Sequence, residues 1–586
     1  MPTFDLQNSI AEHLRDCAAG SDSFPADFDP MVRPADPRFG DFQANGILSA
    51  AKRIGANPRQ LADELAGLAR NHPALGPNDF RLEVAGPGFL NFSLVPGHLT
   101  AWARTFGDAR RLSEGIRHLY AGKRVVVDYS SPNTAKQMHV GHIRSTVIGE
   151  AIARLLAFCG AEVIRDNHIG DWGTQFGVLL LAVRRFGFDF ETTPDEALPA
   201  LEDLYRRGNA LVEEEAEARE EARRELLALQ RGDPERQRVW GQINDLSRSA
   251  FDELYARLGV EFDLTLGESF YRDRVESVYA DLTRLGIAEE SEGALAVFHR
   301  EHPRFREQPF LVRKSDGASN YATTDLATIR YRAEELRAGE IVYVTDGRQR
   351  DHFEQLFLTA RKWFEAEGKP IPELRHVWFG TILGEGGKAI KTRSGRSIKL
   401  RELLDEGVER ARAIVEEKNP DLPGAEKDRI AESVGLAAIR YADLMQNRTQ
   451  DYVFSWDKML AFDGNTAPYL LYATARIHAI FRKAGLRPGE AEEEADAFET
   501  PEELRLARQL VLFPGALSQV TQDLRPHFLC TYLYELANGF SAFYNANRVM
   551  TDDPGERARR LVLCSRTLLF LETGLRLLGI EPLERM

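Results

Sequence analysis

Two histidines bracket a glycine in His139-Val140-Gly141-His142, directly ahead of a run with helical spacing. Those residue types suit phosphate. Imidazole N–H groups donate to phosphate oxygens, and the positive end of a helix dipole and the N–H groups of a first turn are expected to be free to join them. Gly141 is expected to let a flat base come close to the backbone. No acid–base work is required of either histidine. The pattern reads as a nucleotide site, although four residues alone also fit two capping or surface histidines.

The elements around the motif support a ligand site. Val125-Val126-Val127 is a β-branched run that breaks at Ser130-Ser131-Pro132. Beyond it, Ile143, Val147, Ile148, Ala151, Ile152, Leu155 and Leu156 recur at the i, i+3, i+4 spacing of a helix with one face in a core. VVVDYS, EVIRDNHIG, IVYVTDGRQ and HVWFGTI are four short β-rich runs, most of them followed by helical patterns. This alternation predicts an α/β domain with a doubly wound parallel sheet, a Rossmann-like architecture, over about 119–410. Ligands of such sheets sit beyond the carboxyl ends of the strands, where the strand order reverses. Residues 128–142, 346–352 and 384–397 fall at such ends.

Before the sheet, residues 1–118 predict a small α+β domain. LQNSIAEHLRD is helical, two more helices separate at Gly55 to Pro58, and RLEVAGPGFLNFSL alternates like strands about a Gly-Pro-Gly turn. Phe39 and Phe42 could stack on a base but fit a core better. Residues 190–260 form an insertion whose centre, LVEEEAEAREEARRELLALQ, carries opposite charges four residues apart and predicts a solvated helical arm without chemistry. A helical connector over 411–464 leads to an all-α bundle over 465–586.

Composition narrows the class. At 586 residues, 43% apolar and 28% charged, the chain is long enough for several cores. It has no basic start followed by an apolar segment and no apolar run of about 18 residues, so a cytoplasmic protein is expected. Cys17, Cys159, Cys530 and Cys564 are scattered and read as buried thiols; no structural metal is expected. A net charge of −15 argues weakly against nucleic acid. Only one face need be basic, however. Beyond residue 450 there are 15 basic and 19 acidic side chains, and six of the acids lie in 490–499.

The run SSPNTAKQMHVGHIRSTVIGEAIARLLAFCGAEVIRDNHIGDWGTQFG (130–177) resembles arginyl-tRNA synthetases, class I enzymes whose ATP signature takes the His-x-Gly-His form. The likeness continues in YADLMQNRTQDY (441–452), FDGNTAPYLLYATARI (462–477) and the tail LGIEPLERM. It implies activation of L-arginine by ATP with Mg2+ and transfer to arginine tRNA, by a monomer that generally activates its amino acid only once tRNA is bound. The chemistry is attack of a carboxylate on the α-phosphorus of ATP, helped by positioning and positive charge. His139, Gly141 and His142 would hold the nucleotide.

At the usual second cationic loop, GGKAIKTRSGRSIKL (386–400) departs from the class pattern, because Thr392 stands where the second lysine is expected. The resemblance implies compensation by Lys136, just upstream of the histidines, with Lys391 and Arg393 assisting. Taken alone, that loop also fits a surface turn. For arginine the resemblance points to Asp128, Asn133, Tyr321, Asp325 and Gln349. Asp128 and Asp325 would form the carboxylate pair that a planar guanidinium needs, although either could cap a helix. By the same likeness residues 1–118 are the additional domain at the tRNA elbow, with Asn45 a contact, and 465–586 bind the anticodon, with Tyr472, Arg476 and Met586 as contacts. Tyr469, Tyr544, Asn547 and Arg548 offer similar chemistry to RNA bases. A synthetase for another amino acid, a simple nucleotidyltransferase and a catalytically silent RNA-binding relative are the rival readings.

Overall fold

The valine run forms β1 (Arg124–Asp128), and its interior is fully buried, as a strand covered on both faces requires. In the computed structural model, which describes residues 2–315, 321–384, 386–387, 398–490 and 497–586, β1 leads into α1 (Val140–Phe158) and β2 (Glu162–Asp166). There follow α2 (Pro194–Glu214), α3 (Glu268–Tyr271), α4 (Tyr321–Glu334), β3 (Glu340–Asp346), α5 (Arg350–Ala366) and β4 (Glu373–Phe379). The four strands are parallel in the order β4-β3-β1-β2, with Tyr343 beside Asp128 and Asp128 beside Asp166. The chain leaves β1 toward β2 and returns on the other side at β3. The strand order therefore reverses between β1 and β3, whose carboxyl ends are Asp128 and Asp346. This is the doubly wound sheet expected.

Helix α1 differs from expectation. It is buried around its circumference, Arg144, Ser145, Thr146 and Glu150 included, instead of along one stripe. Its polar residues serve as internal ties: Ser145 Oγ donates to Val344 O at 2.7 Å and accepts the Ser130 N–H at 2.8 Å, binding β3, α1 and the loop after β1 together. The insertion also differs. Its charged run is broken at Glu215, and Ala218, Ala222 and Leu229 are buried, so it packs as a helical layer and not as a free arm. A small antiparallel sheet of Ala288–Ser291, Ala294–Val297 and Phe310–Arg313 has no counterpart in the sequence reading.

The chain divides into two compact units, one of residues 122–157 and 161–459 and one of 1–121, 158–160 and 460–586. In the latter, strands Phe80–Ala85 and Phe89–Leu94 pair antiparallel as expected, and Gly55 takes a left-handed φ of 69° between helices Ile47–Ile54 and Pro58–Asn71. The two chain ends pack on each other there: Phe4 and Trp102 meet Phe570, and Arg508 pairs with Asp41 at 2.9 Å. Phe42 is core, whereas Phe39 is 51% exposed. All four cysteines are buried thiols. Among the described residues, no helix is long and apolar enough to cross a membrane.

Candidate active site

The first turn of α1 closes its own hydrogen bonds. His139 N–H donates to His142 Nδ1 at 3.0 Å, Gly141 N–H to His139 Nδ1 at 3.0 Å, Val140 N–H to Ile398 O at 2.9 Å, and His142 N–H to His139 O at 2.8 Å. The expectation of free backbone donors is thus corrected: the rings and a neighbouring segment have taken them. The consequence is chemical. A neutral imidazole that accepts at Nδ1 carries its proton on Nε2, so each ring keeps one N–H to offer. Burial, followed by the charge of Lys399, lowers the His139 pKa, and burial, followed by His139, pushes His142 down to about 3. Both are neutral donors near pH 7. Gly141 is explained by the same folding back, since a Cβ there would lie 2.8 Å from His139 Cε1.

The loop from β1 to α1 is strained and tightly held. Ser130, Ser131 and Ala135 take φ values of 73°, 50° and 60°, a region that costs a non-glycine residue roughly 1–3 kcal/mol. Its ties come from several elements: Asn167 Oδ1 accepts Ser131 N–H, Ser247 Oγ accepts Ala135 N–H, and Tyr255 bonds Ser130. Asn133 lies beside Gly170, where a Cβ would sit 2.0 Å from Asn133 Oδ1. The loop delivers Asn133 and Lys136 to a cavity of about 980 Å³, with His139 and His142 on the same wall. Helix α2 lines it as well, through Glu202, Tyr205, Arg206 and Asn209, and Lys399 completes it. The insertion was expected to have no chemistry, yet it forms half of the cavity.

At the carboxyl end of β1, Asp128 is already occupied. Its Oδ1 accepts from Ser131 Oγ at 3.1 Å and its Oδ2 from Arg332 Nη2 at 2.7 Å; the same nitrogen reaches Asp166 Oδ2 at 2.8 Å. Arg332 is fully buried; burial alone would lower its pKa, but the two aspartates outweigh that and hold it well above the usual range. Asp325 stands seven residues before Arg332 on α4, about 10 Å along the helix axis. Asp128 ends β1 and is tied through Arg332 to the helix that carries Asp325, so both of its oxygens are engaged within the protein.

A different acid lies near Asp325. Glu268 opens α3, which packs on α4, and its carboxyl pKa is pushed up to about 8 by burial and then by the negative charges of Asp325 and Asp171. Asp171 fixes that turn by accepting Ser269 N–H and Oγ–H at 2.9 and 2.7 Å, and Gly267 is required because a Cβ would meet Asp171 at 2.3 Å. His352 Nε2 donates to Asp325 Oδ2 at 2.6 Å. Tyr321, at the head of α4, is 71% exposed, and burial followed by Glu268 and Asp325 raises its pKa. Gln349 is exposed just past the end of β3. In the sequence, nothing about Glu268 beyond the preceding glycine separates it from dozens of other acids.

Lys391 and Arg393, with Thr392, lie outside the described residues. In the unit formed by the chain ends, Tyr472 is 47% exposed and Arg476, one turn on, stacks over Tyr544 at 4.2 Å. The C-terminal tail lies against their helix, Ala467–Ala484, where Thr474 Oγ1 donates to Leu583 O, and Met586 is half-buried. Asn45 is half-buried beside Met31, to whose carbonyl its N–H donates at 3.4 Å. Asn547 is buried among Thr500 and Arg560, which makes it structural.

Family models match three parts of the chain: the arginyl tRNA synthetase N-terminal domain at residues 5–94, the catalytic domain of class I (R) tRNA synthetases at 112–456, and the DALR anticodon-binding domain at 470–586. Arginine–tRNA ligases of Laribacter hongkongensis and an Enterobacter species are 43% and 42% identical to it, over 96% and 99% of both chains respectively. Two solved arginyl-tRNA synthetases superpose along the whole length, that of Plasmodium falciparum with a TM-score of 0.83 and that of Thermus thermophilus with 0.81, each at 27% identity and covering 100% and 99% of this chain and 100% of their own. The fold is thus shared from end to end, and the chain belongs to the arginyl-tRNA synthetase family of class I aminoacyl-tRNA synthetases.

Proposed function

We propose that the chain activates L-arginine with ATP to arginyl-adenylate and transfers the arginyl group to the 3′-terminal adenosine of arginine tRNA, releasing AMP and pyrophosphate. The observation that carries the arginine assignment is the nearness of Glu268 to Asp325, with the Glu268 N–H donating to Ile169 O, next to the Gly170 that bridges to the cavity residue Asn133. A planar guanidinium with five donors is the partner such a pair of acids lacks. Asp128 then acts through Arg332 as a brace, Tyr321 closes over the substrate, and Asn133 and Gln349 meet its polar groups.

The arginine carboxylate attacks the α-phosphorus; the bond to the bridging oxygen breaks, and its electron pair leaves with pyrophosphate. The Nε2–H groups of His139 and His142 donate to phosphate oxygens, and Lys136, aided by Lys391 and Arg393, offsets the charge growing on pyrophosphate. ATP enters as its magnesium complex, a substrate. Asn45, Tyr472, Arg476 and Met586 serve as tRNA contacts, and the enzyme works as a cytoplasmic monomer. Aminoacylation assays with each standard amino acid and bulk tRNA test the reading. Charging with arginine alone is expected; equal charging with lysine, or none with any amino acid, contradicts it.

A pH dependence follows from Glu268. Its pKa of about 8 means that free enzyme near neutrality holds a proton there, which must leave before the carboxylate can pair with a guanidinium. Arginine binding should release a proton and weaken as pH falls below about 8, with a limiting slope of about tenfold per pH unit for one proton. Titration calorimetry in buffers of different ionisation heat reads that proton. Glu268→Gln should bind arginine more weakly with a flat pH profile, and a slope unchanged by the substitution would assign the proton elsewhere.

A further inference from the structure

Among the described residues, both lysines that line the cavity rest on one face of α2. Lys136 Nζ lies 5.4 Å from the centre of the Tyr205 ring, and Lys399 Nζ lies 2.8 and 2.7 Å from the two carboxylate oxygens of Glu202. Glu202 and Tyr205 are three residues apart on the helix and so project from the same side. Gln137 Nε2 also donates to Glu202, at 2.7 Å. The Lys399 backbone is fixed against the signature turn: Val140 N–H donates to Ile398 O and Leu400 N–H to Met138 O, both at 2.9 Å, which sets Lys399 directly opposite His139 in an antiparallel bridge. A residue 260 positions downstream is thereby locked beside the first histidine, with its side chain free to exchange partners.

We infer that Lys399 is a further phosphate-binding residue of this enzyme, held by Glu202 until the triphosphate enters; the inference rests on reading the cavity as the ATP site. The Glu202 and Lys399 side chains remain 38% and 23% exposed, so their ion pair contributes little to stability. A triphosphate brings several negative charges into the same partly desolvated space, where each attracts an ammonium more strongly than it would in bulk water. Rotation about the four-carbon stem of lysine completes the exchange without moving the backbone. The insertion helix then has a role in catalysis: it keeps both ammonium groups at the cavity wall, one on a ring face and one on a carboxylate, and releases them to substrate.

The test is steady-state aminoacylation by the full-length chain with ATP varied at saturating arginine and tRNA. Lys399→Met is expected to raise the ATP KM about tenfold, the effect of losing a charge-assisted hydrogen bond, with the arginine KM within about twofold. Lys399→Arg should restore most of the loss. Glu202→Gln should act in the opposite direction, lowering the ATP KM about two- to fivefold by freeing the ammonium from a half-exposed pair, and should have no effect on it in the Lys399→Met background. If the pair were only a strut between α2 and the loop, both single substitutions would raise the ATP KM and lower the melting temperature together; that result, or an ATP KM unmoved by Lys399→Met, overturns the inference. Lys136→Ala separates the two levels. If it raises the ATP KM while Lys399→Met does not, only the role of Lys399 fails; if neither moves it, the cavity is not the ATP site.

Discussion

Asp325→Asn is expected to lower kcat/KM for arginine by about a hundred- to several thousand-fold while leaving the ATP KM within about twofold. The size follows from removing one member of a partly buried ion pair, which costs about 3–5 kcal/mol because the remaining charge is left without its partner. The selectivity follows from geometry: Asp325 bonds His352 and lies near Glu268, whereas the proposed phosphate donors His139, His142 and Lys136 line a cavity whose lining does not include Asp325. Asparagine keeps an oxygen for His352 Nε2–H, so the local hydrogen bond survives and the loss reports the missing charge. Kinetics with each substrate varied in turn decide the matter. Equal loss for arginine and ATP would show that Asp325 only holds α4 in place.

The contrast between Asp325 and Asp128 shows what the sequence could convey. Strand and helix periodicity located the parallel sheet and its switch point, because burial on both faces leaves unbroken valine runs and the connections leave helical ones. The histidine turn was legible for the same reason. What could not be read was which acid faces which. Asp128 and Asp166 end strands and Asp325 lies within a helix, and only the fold reveals that Arg332 takes the first two and leaves the third. Glu268 lay hidden because its raised pKa arises from burial and two long-range neighbours, Asp325 and Asp171, at sequence separations that no local pattern encodes. The backbone donors of the signature turn were misjudged because a histidine's own Nδ1 competes for them, a choice that depends on side-chain rotation and not on spacing. Likewise, opposite charges four residues apart on a helix do not tell a solvated arm from a cavity wall.

Arg332→Met should produce the largest loss of stability of any single substitution considered. Methionine fills the space but leaves Asp128 and Asp166 facing each other in the core without the guanidinium between them, which costs about 3–5 kcal/mol. Asp166 already has a pKa raised by burial, with Arg332 working against that rise; removing the guanidinium lets it climb further. The sign of the pH effect is then fixed. Carboxyls whose folded pKa exceeds the unfolded value bind more protons in the folded state, so the variant is most stable below the unfolded carboxylate range and loses that stability as pH rises through the raised folded values. Thermal melts of the full-length protein at pH 5.5 and pH 8 should show the deficit widening at the higher pH, and adding Asp128→Asn and Asp166→Asn should recover much of it by removing the unpaired charges. A melting temperature unchanged from wild type, or a deficit independent of pH, would mean that water reaches these carboxylates. The consequence extends to the site. Asp128 accepts the Ser131 hydroxyl within the loop whose left-handed residues present Asn133 and Lys136, so loosening the brace should release the strain stored there and lower kcat even at temperatures where the chain remains folded.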